Sequence, residues 1–201
     1  MAEKLQLRAE ITRRKILDTA VEKFAAAGLS GTTVDDIAIA AGVNKQRIYA
    51  YFGSKQKLFE AALLAVFSQV KFFSGRAVKA AAADPAKLSR IMLEDFLQIH
   101  REHPALWRLL AWANLQGADS AAVLAGVRRE ENEALREIFE TARERNLIKA
   151  VKFENWLFSL LALSCFYYSN YHTMQYTHDP GIADEKWRTL LLDDVELMFT
   201  P

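Results

Sequence analysis

The sequence predicts an all-α protein. Three observations carry that prediction: apolar residues recur at the 3.6-residue period, capping residues and glycines are spaced to start and stop helices, and alternating β-branched runs joined by hairpin turns are missing. Of the 201 residues, 51% are hydrophobic and 25% charged, which excludes a disordered, collagenous or coiled-coil chain. A chain of this length also buries enough apolar surface to build a full core without disulfides or structural metals.

Each element has its own local reason. Ile16, Leu17, Ala20, Val21 and Phe24 share one helical face and predict a first helix over residues 7–27, with Gly28 as its C-terminal glycine. Thr33 precedes Val34-Asp35-Asp36-Ile37-Ala38. Its hydroxyl can accept from an N–H of the next turn, and the two aspartates favour the positive helix end, so a second helix starts here. Gly42 stops it, Asn44 caps a third helix through Phe52, and Ser54 caps a fourth over residues 54–82. Longer helices follow over residues 85–102, 104–115, 119–145, 152–174 and 183–199, with Pro85 and Pro104 in first turns, where proline is tolerated.

The lone cysteine, Cys165, cannot form an intramolecular disulfide and points to a reducing compartment. Residues 1–15 are dense in charge and lack the apolar stretch of a secretory signal. The longest uncharged stretch, residues 155–178, is apolar only from Trp156 to Tyr168, short of the roughly 20 residues that cross a bilayer. A cytoplasmic protein with no membrane partner is expected. Phosphate-cradling GxxxxGK[ST], dinucleotide GxGxxG, nucleophile-elbow GxSxG and zinc-binding HExxH patterns are missing. His100 and His103 lie three apart, but no third ligand has convincing spacing. No metal, no cofactor and no catalytic residue are therefore expected.

Charge becomes informative once divided along the chain. Residues 1–60 hold ten Lys/Arg and seven Asp/Glu, a net +3, leaving −2 for the remainder. Within residues 44–57, Lys45, Arg47, Lys55 and Lys57 face no acid at all, a pattern shared by polyanion contacts and by solvated helix faces.

Residues 32–52, TTVDDIAIAAGVNKQRIYAYF, carry the chemistry. Two helices crossing steeply over a short turn need a small residue where they touch, a glycine in the turn, and a branched residue locking the second helix down. Ala38, Gly42 and Ile48 have those properties. Lys45, Gln46, Arg47 and Tyr49 are then left to project outward. Arg47 can make a bidentate contact to guanine and Gln46 to adenine, each worth about 1–3 kcal/mol of discrimination. Lys45 and Lys55 can neutralise phosphates, and Thr33, Tyr49 and Tyr51 can donate hydroxyl hydrogen bonds to them. The other reading makes Tyr49, Tyr51 and Phe52 core aromatics of a small bundle. Arg8, Arg13, Arg14 and Lys15 either extend the basic surface or face solvent.

Residues 16–59 closely resemble the N-terminal domain of the TetR family of bacterial transcriptional regulators. The resemblance rests on Ile16-Leu17 with Ala20 and Phe24, Gly28-X-X-Gly31-Thr32-Thr33, Ile37-Ala38, Ala41-Gly42-Val43, Tyr49-X-Tyr51-Phe52 and Ser54-Lys55-X-X-Leu58. It implies a three-helix helix-turn-helix DNA-binding head, residues 1–56, and a six-helix ligand-binding and dimerisation body, residues 57–201. By the same resemblance, phosphate contacts fall on Thr33, Tyr49, Tyr51 and Lys55, and base-reading positions on Lys45, Gln46 and Arg47. Family members commonly have a small residue such as Gly or Thr where Gln46 and Arg47 stand, so longer side chains reach out here. The implied partners are palindromic double-stranded operator DNA, a second copy of the chain, and a small-molecule effector whose binding releases the DNA.

In the body, Trp156, Leu160 and Leu163 lie on a helix apolar nearly all round, and Trp187, Leu191, Val195 and Met198 recur on the last helix. Two such helices from each subunit are expected to form a four-helix dimer interface; the competing reading buries them all within one subunit. Phe96, Trp107, Leu110, Trp112, Leu115, Phe166, Tyr167 and Tyr171 are the candidate pocket residues, and their aromatic character leans toward a flat or hydrophobic effector. The alternative functional reading is a helical small-molecule-binding or enzymatic protein that keeps the head without reading an operator.

Overall fold

The computed structural model describes residues 2–174, 176 and 185–201, leaving aside the side chains of residues 2, 3, 71–74, 118, 167, 171 and 185. The described residues form helices and no strand: α1 (Ala2–Gly31), α2 (Val34–Ala41), α3 (Lys45–Phe52), α4 (Lys55–Ala83), a single 3-10 turn (Pro85–Lys87), α5 (Leu88–Glu102), α6 (Pro104–Gln116), α7 (Ala118–Ala122), α8 (Ala125–Glu144), α9 (Phe153–Ser169), α10 (Tyr171–Met174) and α11 (Glu185–Phe199). The helix expected over residues 119–145 is broken at residues 123–124, and that over 152–174 is broken at Asn170. Five residues at the N-terminus join α1 beyond the expected start.

The chain divides into two compact units. Unit 1 comprises residues 1–69 and 104–125, and unit 2 residues 70–103 and 126–201. Neither unit is continuous in sequence, unlike the 1–56 and 57–201 division expected from the sequence. The reason lies in packing: α6 lies along α1 and so joins the first unit.

Unit 1 is built on Ile16, Ala20 and Phe24 of α1, all fully buried, with Phe24 meeting Phe59 of α4 edge-to-face at 5.3 Å between ring centroids. The expected caps form. Thr33 and Asp36 make a reciprocal capping box, Asn44 Oδ1 accepts from the Arg47 N–H at 2.9 Å, and Ser54 Oγ accepts from the Lys57 N–H at 3.1 Å. Gly42 takes the left-handed conformation at φ 62°, which ends α2 and turns the chain toward α3.

In unit 2 the buried centre is Trp156, packed on Phe139 and Phe153 at centroid distances of 5.1 and 5.9 Å, with its indole N–H donating to Ser89 Oγ at 3.0 Å. α5 packs on both α9 and α11. Arg90 of α5 reaches Asp193 and Glu196 of α11, and the Lys149 ammonium donates to the Leu197 and Met198 carbonyls at the α11 C-terminus, where a cation is favoured.

Among the described residues α4, and not the uncharged stretch 155–178, is by length and composition apolar enough to cross a membrane. Half of its most apolar window is buried in the protein, with Leu58, Phe59, Ala62 and Leu63 fully enclosed; this is how a core helix acquires the same composition.

Candidate nucleic-acid interface

α2 and α3 present one outward surface because their inward residues are fully committed. Val34, Ile37, Ala38 and Ala41 of α2, and Ile48 and Phe52 of α3, are buried. With Ile48 and Phe52 directed inward, helical geometry turns Gln46, Arg47 and Tyr49 to solvent, and all three are exposed. Tyr51 is half-buried, its ring 6.5 Å from that of Phe52.

Three of the candidate contact residues are already engaged within the protein. The Thr33 hydroxyl accepts from the Asp36 N–H and donates to the Asp36 carboxylate, so its proton points to Asp36. The hydroxyl's bond, joined by the Thr33 N–H that donates to the same carboxylate, holds the Asp36 carboxyl below its ordinary range. The Lys55 ammonium donates to the Thr32 carbonyl at 3.1 Å, while the Thr32 hydroxyl donates to the Lys23 carbonyl at 3.1 Å, tying α4 and the loop after α1 together. The Lys45 ammonium donates to Asp35 Oδ2 at 2.7 Å, and that bond raises the lysine above its ordinary value.

Asp35 and Thr32 are the residues that sequence reasoning missed. In the sequence Asp35 stands only as a helix-start acid, because a contact ten positions away between two helices leaves no periodic signal. Two basic residues of α1 approach α3 and the Gly42 turn, and a third pairs within α1. The Arg13 guanidinium sits 5.2 Å from the Phe52 ring centre, Lys15 Nζ reaches the Gly42 turn, and Arg14 pairs with Asp18 at 2.9 Å.

The residues expected at a dimer interface separate into two groups. Trp156, Leu160 and Val195 have no exposure and fill the core of unit 2, so their contacts are intramolecular; this corrects the expectation for these three positions. Leu163, Trp187 and Leu191 are half-buried, and Met198 is exposed. Besides Met198, the outward apolar side chains of α9 and α11 are Phe158 (73% exposed), Phe166, Leu190 and Leu197 (72%). A helix apolar on every side offers no polar face to mark the outside, so periodicity could not assign its orientation.

The candidate pocket residues are not gathered in one unit. Trp107, Leu110 and Trp112 are half-buried on α6 in unit 1, whereas Phe96 packs against the unit 2 core and Phe166 is exposed. The side chains of Tyr167 and Tyr171 lie outside the described residues. Unit 2 contains a groove of about 340 Å³ between α4 and α5, bordered by Arg76, Ala80, Ile91, Glu94, Asp95 and Gln98 and by none of the expected aromatics.

His100 is buried in unit 2. Its Nδ1 lies 2.7 Å from the Phe96 carbonyl, which can only accept, so the proton resides on Nδ1; the ring stacks on Tyr168 at 5.5 Å. Burial pushes its pKa down to about 4.

Residues 16–62 match the family of bacterial regulatory proteins described as the tetR family, and residues 85–195 match the tetracyclin repressor-like C-terminal domain. The chain is 28% identical over 193 residues to the HTH-type transcriptional repressor NicS of Pseudomonas putida, covering 92% of this chain and 91% of that protein. It is 30% identical to the HTH-type transcriptional repressor SCO4008 of Streptomyces coelicolor, covering 77% of each. Among solved structures, SCO4942 of Streptomyces coelicolor superposes with a TM-score of 0.68 at 26% identity, covering 94% of this chain and 99% of that one. The hemolysin II regulator HlyIIR, at 17% identity and a TM-score of 0.70, shares the fold.

Proposed function

The chain belongs to the TetR family of bacterial regulatory proteins, ligand-responsive DNA-binding transcriptional regulators, and on that premise we propose that it is a cytoplasmic repressor acting as a homodimer on a palindromic operator. The observation that carries this reading is the α3 surface: Gln46, Arg47 and Tyr49 stand exposed on a helix pinned from behind by Ile48 and Phe52. Gln46 and Arg47 read base edges in the major groove. Tyr49, Tyr51 and Lys55 fix register on phosphates, and Thr33 contributes through the α2 N-terminus it caps.

The functional division follows residues 1–56 as the DNA-binding head and 57–201 as the effector-binding and dimerisation body. In the dimer, Phe158 and Phe166 of α9 and Leu190, Leu197 and Met198 of α11 meet their copies about a twofold axis, because these five large apolar side chains stand exposed and pairing removes them from water. A small hydrophobic or aromatic effector binds the body and acts through α4, changing the spacing of the two recognition helices from the ~34–36 Å repeat of successive major grooves. The effector shifts this equilibrium only by its differential affinity for the two states. No catalytic role is assigned; the relatives matched over most of their length are named transcriptional repressors, which disfavours an operator-blind binding protein or enzyme.

The test is selection of bound duplexes from a random DNA pool at moderate salt with the purified full chain. Enrichment of a palindrome supports the reading and supplies the probe for an effector screen. Recovery of unrelated sequences with only salt-dependent affinity would reject it.

A further inference from the structure

On the recognition surface, Lys45 is a cation that the protein itself pairs with a carboxylate. Lys45, the first residue of α3, donates to Asp35 of α2 at 2.7 Å, beside Gln46 and Arg47. The capping box that starts α2 uses Asp36, not Asp35, so Asp35 is free of that duty. Both partners are solvent-exposed, with side-chain exposures of 46% and 61%, so the pair contributes little to folding. Its consequence lies in binding. A lysine that meets a phosphate adds about 0.9 to the salt dependence of DNA affinity, a contribution that ignores sequence. A carboxylate facing a polyanion opposes association.

Building on the DNA-binding reading above, we propose that Asp35 is a specificity-determining residue. By holding the Lys45 ammonium against α2, it withdraws one sequence-independent phosphate contact from the recognition face. On the operator, base contacts by Gln46 and Arg47 set a single register in which Lys45 stays with Asp35. On random DNA no register is fixed, and a released Lys45 reaches a phosphate in many of them. Asp35 therefore weakens random binding more than operator binding.

The experiment titrates short labelled duplexes, one carrying the selected operator and one scrambled, with the full-length protein over a range of salt. The variants are Asp35→Asn, Asp35→Ser, Lys45→Gln and the two double substitutions, each checked for unchanged thermal unfolding. Asp35→Asn and Asp35→Ser are expected to tighten scrambled-duplex binding about fivefold and to steepen its salt slope by about one. Operator affinity rises less, so the ratio between the two falls, and both effects disappear in the Lys45→Gln background. An equal gain in that background overturns the proposal, because Asp35 would then act as a general negative charge. Unchanged or weaker scrambled binding by both Asp35 variants overturns it as well, leaving a pair that only orients α3. If the wild-type chain distinguishes the two duplexes not at all, the operator-reading function itself fails, and this inference with it.

Discussion

The indole of Trp112 on α6 packs so closely on the backbone of Gly28 in α1 that a β-carbon at that glycine would lie 2.6 Å from Trp112 Cδ2. Gly28 also adopts φ 70° and ψ −178°, a conformation essentially confined to glycine. One residue thus kinks α1 three residues before its end and opens the space in which α6 docks. Gly28→Ala is expected to cost about 2–4 kcal/mol of stability, combining backbone strain with overpacking, measured by urea unfolding. The cost shrinks in a Trp112→Leu background, where the clash is relieved and only the strain remains. Equal costs in both backgrounds would show that the indole contact is not the cause.

Arg47 and Lys55 are expected to divide the labour of recognition. Arg47→Ala is expected to cost about 1–3 kcal/mol on the operator, to relax one base position, and to change scrambled-duplex binding much less. Lys55→Ala weakens both duplexes alike and flattens the salt slope by about one. Affinity titrations on the two duplexes decide it, and parallel losses for both variants would reject the division.

Trp156 and Phe158 are near neighbours on α9 with opposite surroundings, and their substitutions separate folding from pairing. Trp156→Ala empties the centre of unit 2 and is expected to destabilise the protein by about 3–5 kcal/mol. Phe158→Glu puts a charge on the exposed face; sedimentation velocity is expected to show a shift toward monomer with secondary structure retained. A Phe158→Glu protein that sediments as the wild type does would remove α9 from the interface.

His100 makes stability depend on pH. Its folded-state pKa of about 4 lies below the ordinary 6.5 because burial disfavours the charged ring. Above pH 6.5 both states are neutral there and the group is silent. As pH falls from 6.5 toward 4 the unfolded chain takes up a proton that the folded protein refuses, so stability drops by up to about 3 kcal/mol. Unfolding free energies at pH 7 and pH 5, compared with His100→Gln, test this; the variant is expected to lose most of that part of the slope. An unchanged slope in the variant would assign the pH dependence to other groups.

Much of the head was legible in the sequence because its determinants are local. Thr33, Asn44 and Ser54 act within three residues of themselves, and Ile16, Ala20 and Phe24 declare a helical face by spacing alone. The exposure of Gln46, Arg47 and Tyr49 followed from the same logic, since buried Ile48 and Phe52 dictate what remains outside. The body was legible as helices but not as faces. On α9, aliphatic and aromatic residues surround the axis, so nothing in the spacing told buried Trp156 from exposed Phe158, and the aromatics grouped as one pocket fall in separate units.

By itself the sequence determined the helices, their caps and turns, and the outward identity of the recognition helix, because those depend on hydrogen bonds and side-chain rows within a few residues. Only the tertiary structure decided that Asp35 holds Lys45, that Thr32 receives Lys55, that Trp112 closes on Gly28 and that Trp156 points inward to Ser89. These contacts join residues from 10 to 84 positions apart. Their existence depends on the angles at which helices cross, and those angles are set by the packing of whole helix faces rather than by any local run of residues.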